Sequence, residues 1–455
     1  MTIKRTLVAN RGEIAVRIIR AAHALGIEAV QVVSAADRDS EAARMADQVV
    51  VIGPAPSKQS YLNAGLIVHA AKQTGCDALH PGYGFLSERA ELANLCAENG
   101  ITFVGPAAET IGALGDKLRS RAIAAGAGVP LVPGTDQIAS VTAAHHAAEK
   151  LGYPVLMKAS AGGGGRGMFV ARNADAITAS FDAASTEAQE AFGDGTLYME
   201  TYVENARHVE VQAVGDGKGR VVHFGERDCS VQRRYQKVIE EAPCALMPAK
   251  LRAELHEAAV KLLSSMKYLN AGTVEFLYDV NRQAIYFIEV NTRIQVEHPV
   301  SEQVTGFDLV QTQFRIAAGE AALPRQDQIK LNRHAIECRI NAEDAAKNFM
   351  PSPGRITRWA PPRGAGIRVD SHCRDGYLVP PYYDSMIAKL IVTADSRPEA
   401  VERLKVALAH FEIEGLTTNI PLLRYIAAQE NFAANRFHTR WLEQDVLPSF
   451  QQDHA

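Results

Sequence analysis

The spacing of hydrophobic positions predicts several kinds of element along the chain, beginning with an alternating region. Over residues 1–105, short apolar runs such as "TLVAN" and "EAVQVV" alternate with amphipathic segments such as "GEIAVRIIRAAHALG". Strands that alternate with helices predict βαβ units, and therefore a parallel sheet with helices on both faces. The first turn, "VANRGE", lacks the G-x-G-x-x-G spacing of dinucleotide-binding proteins, so we do not expect NAD binding.

Later segments follow different patterns. After "GVPLVPGT", which is typical of a linker, residues 136–200 have the pattern of a small α/β unit that contains "KASAGGGGRGM". Residues 205–320 have the pattern of strands with one long helix, "AKLRAELHEAAVKLLSSMKYL". From residue 331, "HAIECRINAED", "GRITRWAPP" and "SMIAKLIVTAD" predict an antiparallel sheet followed by helices. The fold class is therefore mixed α/β.

The segment "EVNTRIQVEH" (289–298) places polar residues on every second position. At period two, Ile285 and Phe287 share a face with Glu289, so this face is apolar first and polar afterwards. The ordinary interpretation of such alternation is a strand with one solvated face. A strand that leaves the core and ends in a cleft is the alternative, and it explains the apolar beginning better.

A metal site is one interpretation of the strand before it, "AGTVEFLYD". A hairpin centred on Arg282 places Glu275 opposite Glu289, and Asn291 points the same way. Like charges directly opposite destabilise a sheet unless a cation lies between them, and these oxygen ligands suit Mg²⁺ or Mn²⁺. The alternative is a different register, in which Glu275 pairs with an arginine.

The glycine-rich segment 158–168 has two interpretations as well. Lys158 ends an apolar run, and the four glycines that follow allow a backbone to approach a ligand closely. Arg166 within the segment, Lys158 before it and Lys117 in "GDK" favour a phosphate-covering lid. The segment lacks the Walker A pattern. A flexible hairpin tip without a ligand is the alternative.

Three further segments carry candidate polar groups, each with a plain structural alternative. His208 shares a strand face with Glu210, although a histidine on a strand is commonly structural. The charged segment "GERDCSVQRRYQK" is either part of a site or a surface loop with internal ion pairs. In "ECRINAED", Glu337 and Arg339 share one face, which an exposed strand also explains.

Composition narrows the classes of protein. The 455 residues suffice for roughly three domains of about 150 residues. A net charge of −4 lacks the excess of basic residues that is typical of nucleic-acid-binding proteins. No apolar run approaches the roughly 18 residues of a membrane span. The N-terminus lacks the apolar core of a signal peptide. Six dispersed cysteines without a C-x-x-C pair predict reduced thiols and a cytoplasmic protein.

The motifs, taken together and in order, resemble the biotin carboxylases of the ATP-grasp superfamily. They are "VANRGEIAVRIIRA", "HPGYGFLSE", "KASAGGGGRGM", "HVEVQ", "ERDCSVQRRYQK", "EVNTRIQVEHPVSEQVTG", "ECRINAED" and "VPPYYDSMIAKL", and they run from about residue 3 to 445. The resemblance implies a Rossmann-like N-terminal domain (1–115), an ATP-grasp domain (116–330) and a C-terminal antiparallel-sheet domain (331–447). A mobile glycine-rich lid is expected at about 136–203.

The resemblance also implies roles for individual residues. ATP is expected to contact Lys117, Lys158, Gly164, Gly165, Glu200, Thr201, Tyr202, Val203, His208, Gln232, Tyr235, Glu275 and Glu289. One or two Mg²⁺ or Mn²⁺ ions are expected at Glu275, Glu289 and Asn291. Bicarbonate is expected among Lys237, Arg293, Gln295 and Val296, with Lys237, Arg293 and Glu297 catalytic and Glu297 as the base. The biotin site is expected at Tyr83 and Arg339.

The reaction implied by the resemblance has two stages. Bicarbonate attacks the γ-phosphate of ATP to give carboxyphosphate, which then carboxylates biotin held on a separate carrier. The chain is thus expected to be a homodimeric biotin carboxylase subunit of a multisubunit carboxylase, such as the acetyl-CoA carboxylase of fatty acid biosynthesis. Expected partners are a biotin carboxyl carrier protein and carboxyltransferase subunits. The final acyl-CoA or keto-acid substrate is left open.

Several positions depart from the family pattern, and two other functions stay open. The departures are Tyr235, Thr201, Ala161, Ser301 and Arg89. They leave nucleotide affinity as the parameter most in question. Another ATP-grasp ligase, which activates a carboxylate for attack by an amine, would use the same metal residues. A catalytically inactive nucleotide-binding regulator is the third hypothesis.

Overall fold

The computed structural model describes residues 2–159, 168–320 and 323–453. Its N-terminal part contains a five-stranded parallel sheet in the order β3-β2-β1-β4-β5. The strands are β1 (Arg5–Val8), β2 (Glu28–Val33), β3 (Gln48–Val51), β4 (Ala78–His80) and β5 (Thr102–Phe103). The helices are α1 (Gly12–Ala24), α2 (Glu41–Met45), α3 (Ala64–Gln73), α4 (Ala90–Glu98) and α5 (Ala108–Gly115).

Alternate side chains of this sheet enter two separate cores. Val8 and Ala29 pack in one core with α1, while Leu7 and Val30 pack in another with α3 and α4. This division follows from the period of two along a strand. The predicted parallel sheet with helices on both faces is confirmed.

A smaller four-stranded antiparallel sheet follows, in the order β6-β9-β7-β8. Its strands are β6 (Gly134–Ile138), β7 (Val155–Ala159), β8 (Met168–Ala171) and β9 (Leu197–Thr201). Its helices, with the one before it, are α6 (Lys117–Gly126), α7 (Val141–Leu151) and α8 (Ala174–Phe192). The glycine-rich segment joins β7 to β8, and residues 160–167, including Gly164 and Gly165, lie outside the described residues.

The largest sheet has eight strands in the order β14-β13-β10-β11-β12-β15-β22-β20. Its first six strands in sequence are β10 (Ala206–Asp216), β11 (Val221–Arg233), β12 (Gln236–Ala242), β13 (Leu269–Asp279), β14 (Ala284–Asn291) and β15 (His334–Asn341). The helices among them are α9 (Ala249–Ser265), α10 (His298–Thr305) and α11 (Leu309–Ala317). Because β12 pairs with β15, this sheet continues across residue 330 into the C-terminal part.

The C-terminal part completes this sheet and then becomes helical, as predicted. Its strands are β16 (Glu343–Asp344), β17 (Met350–Pro351), β18 (Gly354–Arg355), β19 (Arg358–Ala360), β20 (Ile367–Ser371), β21 (Leu378–Val379), β22 (Met386–Ala394) and β23 (Glu412–Glu414). Its helices are α12 (Arg397–Ala409), α13 (Ile420–Ala428), α14 (Glu430–Ala433) and α15 (Leu447–Asp453). All six cysteines are free and buried, and no described helix is long and apolar enough to cross a membrane.

The hairpin of β13 and β14 contains a one-residue bulge. Near its turn Phe276 pairs with Phe287, but the next pair along the ladder is Glu275 with Glu289, so Ile288 is the extra residue. A bulge of this kind changes which residues face each side of the sheet. The predicted pairing of Glu275 with Glu289 is confirmed, and the bulge is what produces it.

The bulge also corrects two expectations about this hairpin. Ile285, Phe287 and Val290 all lie in one hydrophobic core, so Glu289 does not share a face with Ile285 and Phe287. The change from apolar to polar along "AIYFIEVN" is thus a change of face at the bulge. In addition, the turn is centred between Asn281 and Arg282, not on Arg282.

The expected continuation of this strand to His298 is wrong. Strand β14 ends at Asn291, residues 292–297 form a turn, and α10 begins at His298. We call these six residues the 292–297 turn. The N–H of Thr292 donates to Glu88 Oε1 over 3.2 Å, and His298 Nδ1 lies 2.7 Å from the carbonyl oxygen of Gln295. Contacts within the folded protein therefore shape this segment, and strand periodicity does not.

Candidate active site

A central cavity of about 880 Å³ lies where the three parts of the chain meet. The predicted site residues that line it are Tyr83, His208, Tyr235, Lys237, Glu275, Glu289, Asn291, Arg293, Gln295, Val296, Glu297 and Arg339. A cavity of this size accommodates a small-molecule ligand. The structure thus brings together residues that the sequence places more than 200 positions apart.

Lys237, on β12, lies at the centre of this cavity among three carboxylates. Its Nζ donates to Glu210 Oε2 at 2.5 Å, to Glu297 Oε1 at 2.5 Å and to Glu275 Oε1 at 3.2 Å. Burial alone lowers the pKa of a lysine, but the neighbouring acidic groups outweigh burial and raise the pKa of Lys237 well above its usual value. Lys237 is therefore a fixed positive charge, able to hold an anion.

Glu275 accepts hydrogen bonds from four side chains. Oε1 accepts from Lys237, from Asn291 Nδ2 at 2.8 Å and from Gln295 Nε2 at 2.8 Å, while Oε2 lies 2.8 Å from His208 Nε2. Burial raises the pKa of Glu275, but Lys237 and His208 outweigh that effect and hold it well below its ordinary value. Glu275 is consequently ionised at neutral pH.

The pKa of Glu289 shifts in the opposite direction to that of Glu275, although the two residues pair directly across the hairpin. Burial and the negative charge of Glu275 raise the pKa of Glu289, and the more distant Lys117 only partly opposes them. No side chain within the described ranges hydrogen-bonds its carboxylate. A divalent cation between Glu275 and Glu289 would relieve this repulsion, so the residues present fit a hard metal ion.

Asn291 and a second acidic cluster lie beside this position. Asn291 follows Glu289 by two residues and its Nδ2 bonds Glu275, while Asn291 Oδ1 accepts from Arg293 at 3.0 Å. A second cluster, made of His208, Glu210 and Glu275, has ligand atoms within 4.8 Å of one another. Both of its carboxylates accept from Lys237, whereas in the other pair Glu289 accepts from no side chain among the described residues, so the pair of Glu275 and Glu289 is the better candidate.

The 292–297 turn presents one cation and one carboxylate to the cavity. Arg293 donates from Nε to Glu88 Oε2 at 2.9 Å. Glu297 accepts from Lys237 and, through Oε2, from the Nη2 of Arg339 at 3.0 Å. Burial raises the pKa of Glu297, but Lys237 and Arg339 hold it below its ordinary value. Glu297 is therefore a carboxylate, available to accept a proton.

Arg227 is not among the predicted site residues, although it belongs to the charged segment "GERDCSVQRRYQK". Its guanidinium is fully buried and donates to five acceptors. These are Glu210 Oε1 (2.5 Å), Gln212 Oε1 (2.8 Å), Ser301 Oγ (3.0 Å), Thr273 Oγ1 (3.2 Å) and Gln295 Oε1 (2.6 Å). Of the two interpretations of "GERDC", complete burial of Glu226, Arg227 and Asp228 excludes the surface loop.

Arg339 and Tyr83 complete the predicted site residues that line the cavity. Arg339 Nε donates to Glu240 Oε1 at 2.6 Å, and Glu337 is fully buried beside it. The exposed-face interpretation of "ECRINAED" is therefore wrong for Glu337. Tyr83 lines the cavity and donates from its hydroxyl to Glu13.

Several residues predicted to contact the nucleotide lie outside the lining of the central cavity, some around Glu200 and some at a second cavity. Lys158 and Arg121 both bind the carboxylate of Glu200, and Arg121 is a second residue that the sequence did not single out. Thr201 and Val203 line a separate cavity of about 230 Å³. The N–H groups of Thr201 and Tyr202 donate to the carbonyl oxygens of two prolines, Pro133 and Pro154. Lys117 begins α6.

Gln232 and Tyr235 lie at the hairpin between β11 and β12. Gln232 pairs with Lys237, is buried, and its Oε1 lacks a hydrogen-bond partner among the described residues. Tyr235 is in the two-residue turn with a φ of 63°, and its side chain is 58% exposed at the cavity mouth. It therefore remains accessible to a ligand.

Comparison with known proteins assigns the family. Residues 2–111 match the biotin carboxylase N-terminal domain, residues 116–325 the ATP-binding domain of the carbamoyl-phosphate synthase L chain, and residues 337–444 the biotin carboxylase C-terminal domain. Biotin carboxylase 1 of Bacillus subtilis (strain 168) is 51% identical over 449 residues, which cover 98% of this chain and 100% of that protein. The chain belongs to the biotin carboxylase family.

Other biotin carboxylase relatives include subunits of larger enzymes. The 2-oxoglutarate carboxylase small subunit of Hydrogenobacter thermophilus is 49% identical over 442 residues, which cover 97% of this chain and 93% of that protein. The biotin carboxylase domain dimer of the same enzyme, solved with MgADP and bicarbonate, has a TM-score of 0.93 at 48% identity and covers 99% of both chains. Biotin carboxylase from Campylobacter jejuni, as a β-γ-ATP complex, has a TM-score of 0.93 at 47% identity, covering 97% of this chain and 99% of that one. The predicted fold class is confirmed.

Proposed function

We propose that the chain carboxylates biotin with bicarbonate at the expense of ATP, through carboxyphosphate, as the first half-reaction of a biotin-dependent carboxylase. The observation that carries this proposal is the cluster of Lys237, Arg293 and Glu297 beside the pair of Glu275 and Glu289 in one cavity. Family membership supports the same reaction. A phosphoryl-transfer site needs positive charge for the anions and oxygen ligands for a metal ion, and this cavity offers both.

Bicarbonate is assigned to the part of the cavity at the 292–297 turn. Lys237 and Arg293 supply positive charge, while Gln295 and the main chain of Val296 supply neutral polar contacts. Glu297, ionised because Lys237 and Arg339 lie beside it, takes the proton of bicarbonate as the base. Arg293 also stabilises the enolate of biotin, which is an oxyanion-type role.

Metal binding is assigned to Glu275, Glu289 and Asn291. Bound Mg²⁺ or Mn²⁺ would neutralise phosphate charge and align ATP with its attacker. Glu275 presents an ionised carboxylate, and Glu289 gains most from a cation because the charge of Glu275 opposes its ionisation. One or two ions are expected.

Nucleotide binding is assigned to residues on both sides of the cleft. The phosphates are assigned to Lys117, Lys158, Gly164 and Gly165, and the adenine edge to Glu200, Thr201, Tyr202 and Val203. His208, Gln232 and Tyr235 complete the nucleotide site. The biotin ring is assigned to Tyr83 and Arg339, which line the central cavity.

The decisive assay measures ATP hydrolysis with bicarbonate and free biotin supplied or omitted, together with fixation of labelled bicarbonate. We expect turnover that requires both, and carboxybiotin as product. Turnover without bicarbonate would contradict the proposal, as would hydrolysis supported by an amine or another acyl acceptor in place of biotin. Binding of ATP without any turnover would favour the regulatory hypothesis.

The proposal extends to partners and location. One relative is named as the small subunit of 2-oxoglutarate carboxylase, and one similar structure as the biotin carboxylase subunit of pyruvate carboxylase. These names suggest that the biotin carrier and the carboxyltransferase are separate chains. We also propose a homodimer, which light scattering on the purified chain tests. Proteins that co-purify with the chain would identify the final acyl-CoA or keto-acid substrate. The cytoplasmic location stays a prediction.

A further inference from the structure

Lys389, on β22, is a completely buried lysine behind the wall of the cavity. Its side chain is 0% exposed, and its Nζ donates to two acceptors. One is the main-chain oxygen of Val296 at 2.9 Å, and the other is Glu13 Oε1 at 3.0 Å. Nζ also lies 6.0 Å from the centre of the Tyr83 ring. Val296, Glu13 and Tyr83 line the cavity, and they come from different parts of the chain.

Lys389 is the direct cross-strand neighbour of Arg339 in the β15–β22 pair. Directly opposed residues in an antiparallel pair project to the same face. Arg339 holds the side chain of Glu297, while Lys389 holds the carbonyl of Val296, the preceding residue. Two adjacent cations thus hold two consecutive residues of the 292–297 turn.

The contact with Val296 bears on anion binding. Valine has no polar side chain, so any polar contact that Val296 makes with bicarbonate must come from its main chain. The donor that Val296 offers an anion is its N–H. Lys389 binds the carbonyl oxygen of the same residue and so fixes the planar peptide between Val296 and Glu297, next to that N–H. Lys389 therefore sets the orientation of this peptide at the cavity wall.

The second contact of Lys389 is with Glu13. Glu13, on α1, accepts with one oxygen from both Lys389 and the Tyr83 hydroxyl. Tyr83 belongs to the predicted biotin site. Lys389 consequently lies between the predicted bicarbonate contact at Val296 and the predicted biotin contact at Tyr83.

Burying a lysine is costly unless its charge is compensated, which argues against an incidental placement. Burial lowers the pKa of Lys389, but Glu13, Glu337 and Asp370 outweigh burial and raise it. The ammonium group therefore stays charged. A charge-assisted donor is stronger than a neutral one, and it holds Val296 and Glu13 at a fixed separation.

We infer that Lys389 is a positioning residue that sets the 292–297 turn for bicarbonate and holds it in register with Tyr83. This inference rests on the proposed biotin carboxylase function. Lys389 is fully buried and does not line the cavity. Its effect passes through Val296 on one side and through Glu13 on the other.

The test is Lys389→Met, which keeps the length of the side chain but removes the charge and the donors. We expect the KM for bicarbonate to rise roughly tenfold or more, as loss of a charge-assisted hydrogen bond permits. The KM for ATP should change less than about twofold, because the assigned nucleotide contacts lie elsewhere. A merely structural role would not separate the two constants.

Arg397→Met is the matched control. Arg397 is also a buried cation of the C-terminal part, and it bonds Glu241 at 2.7 and 3.1 Å without lining the central cavity. Its bicarbonate KM should match that of the wild type. An unchanged bicarbonate KM in Lys389→Met, or equal rises for bicarbonate and ATP, would overturn the inference.

Two further outcomes are distinguishable. If the wild type shows no bicarbonate-dependent turnover, the proposed function fails, and this inference fails with it. If Lys389→Met does not fold, as judged by circular dichroism, Lys389→Arg decides. Arginine keeps the charge but changes its geometry. The bicarbonate KM of Lys389→Arg should therefore rise at least threefold, while its ATP KM stays at the wild-type value. A bicarbonate KM equal to that of the wild type would refute the positioning role.

Discussion

Glu289→Gln should stabilise the ligand-free protein and yet abolish its Mg-ATP turnover. Burial and the charge of Glu275 raise the pKa of Glu289 above its ordinary value of 4.5. A carboxyl group with a raised pKa in the folded state destabilises that state once it ionises. The destabilisation is absent below the unfolded pKa and grows as the pH rises through the folded pKa. Glutamine removes it, but also removes a metal ligand.

The magnitude follows from the direct pairing of Glu289 with Glu275. Two unit charges about 5 Å apart interact by about 3 kcal/mol at an effective dielectric constant of about 20. Lys237 and His208 already neutralise much of the charge on Glu275. We therefore expect a gain of about 1 kcal/mol in the free energy of unfolding near pH 8, and no gain near pH 4.

The assay is denaturant unfolding of the ligand-free protein at the two pH values, with Mg-ATP titration calorimetry and turnover measured in parallel. Glu226→Gln is the matched control. Glu226 is buried and bonds His256 at 2.7 Å and Arg252 at 2.7 Å. Burial raises the pKa of Glu226, but His256 and Arg252 outweigh burial and lower it, so this variant should lose stability at neutral pH. Lower stability in Glu289→Gln would refute the electrostatic account of Glu289, and turnover like that of the wild type would refute the metal assignment.

Three further variants test separate parts of the site. Arg227→Met leaves Glu210 buried without its main partner. The free energy of unfolding, measured by chemical denaturation, should therefore fall by about 3–5 kcal/mol. A loss below about 1 kcal/mol would contradict this account. Glu297→Gln should keep ATP binding in calorimetry but lose bicarbonate-dependent turnover, and retained turnover would remove Glu297 as the base. Tyr83→Phe removes the hydroxyl that donates to Glu13. It should raise the KM for biotin severalfold without changing the KM for ATP, and equal effects on both would argue against the biotin assignment.

Some departures from the family pattern have plain structural consequences. Ser301 keeps a hydroxyl that accepts from Arg227, so replacement of the expected threonine preserves this contact. Arg89 precedes α4 without capping it through its side chain, where the expected asparagine is a better capping residue. The two departures nearest the nucleotide, Thr201 and Tyr235, leave the expectation about nucleotide affinity to binding measurements.

The hairpin that carries Glu275 and Glu289 illustrates how far pattern analysis reaches. A hairpin assumed to be centred on Arg282 predicted that the two carboxylates oppose each other, and the actual turn centre together with the bulge gives the same pair. The bulge at Ile288 was beyond that analysis, since a period of two assumes an unbroken ladder. The continued alternation after Asn291 was misinterpreted for the same reason.

The sequence by itself determined the order of elements, the parallel N-terminal sheet, the motifs of the family and the chemical types gathered in "EVNTRIQVEH". These depend on local periodicity and on residue identity, which neighbours along the chain fix. Only the tertiary structure decided the full burial of Arg227, the turn that aims Arg293 and Glu297, and the position of Lys389 between Val296 and Glu13. Those arrangements join residues from distant strands, and compensating buried charge is a property of the assembled fold that no local pattern carries.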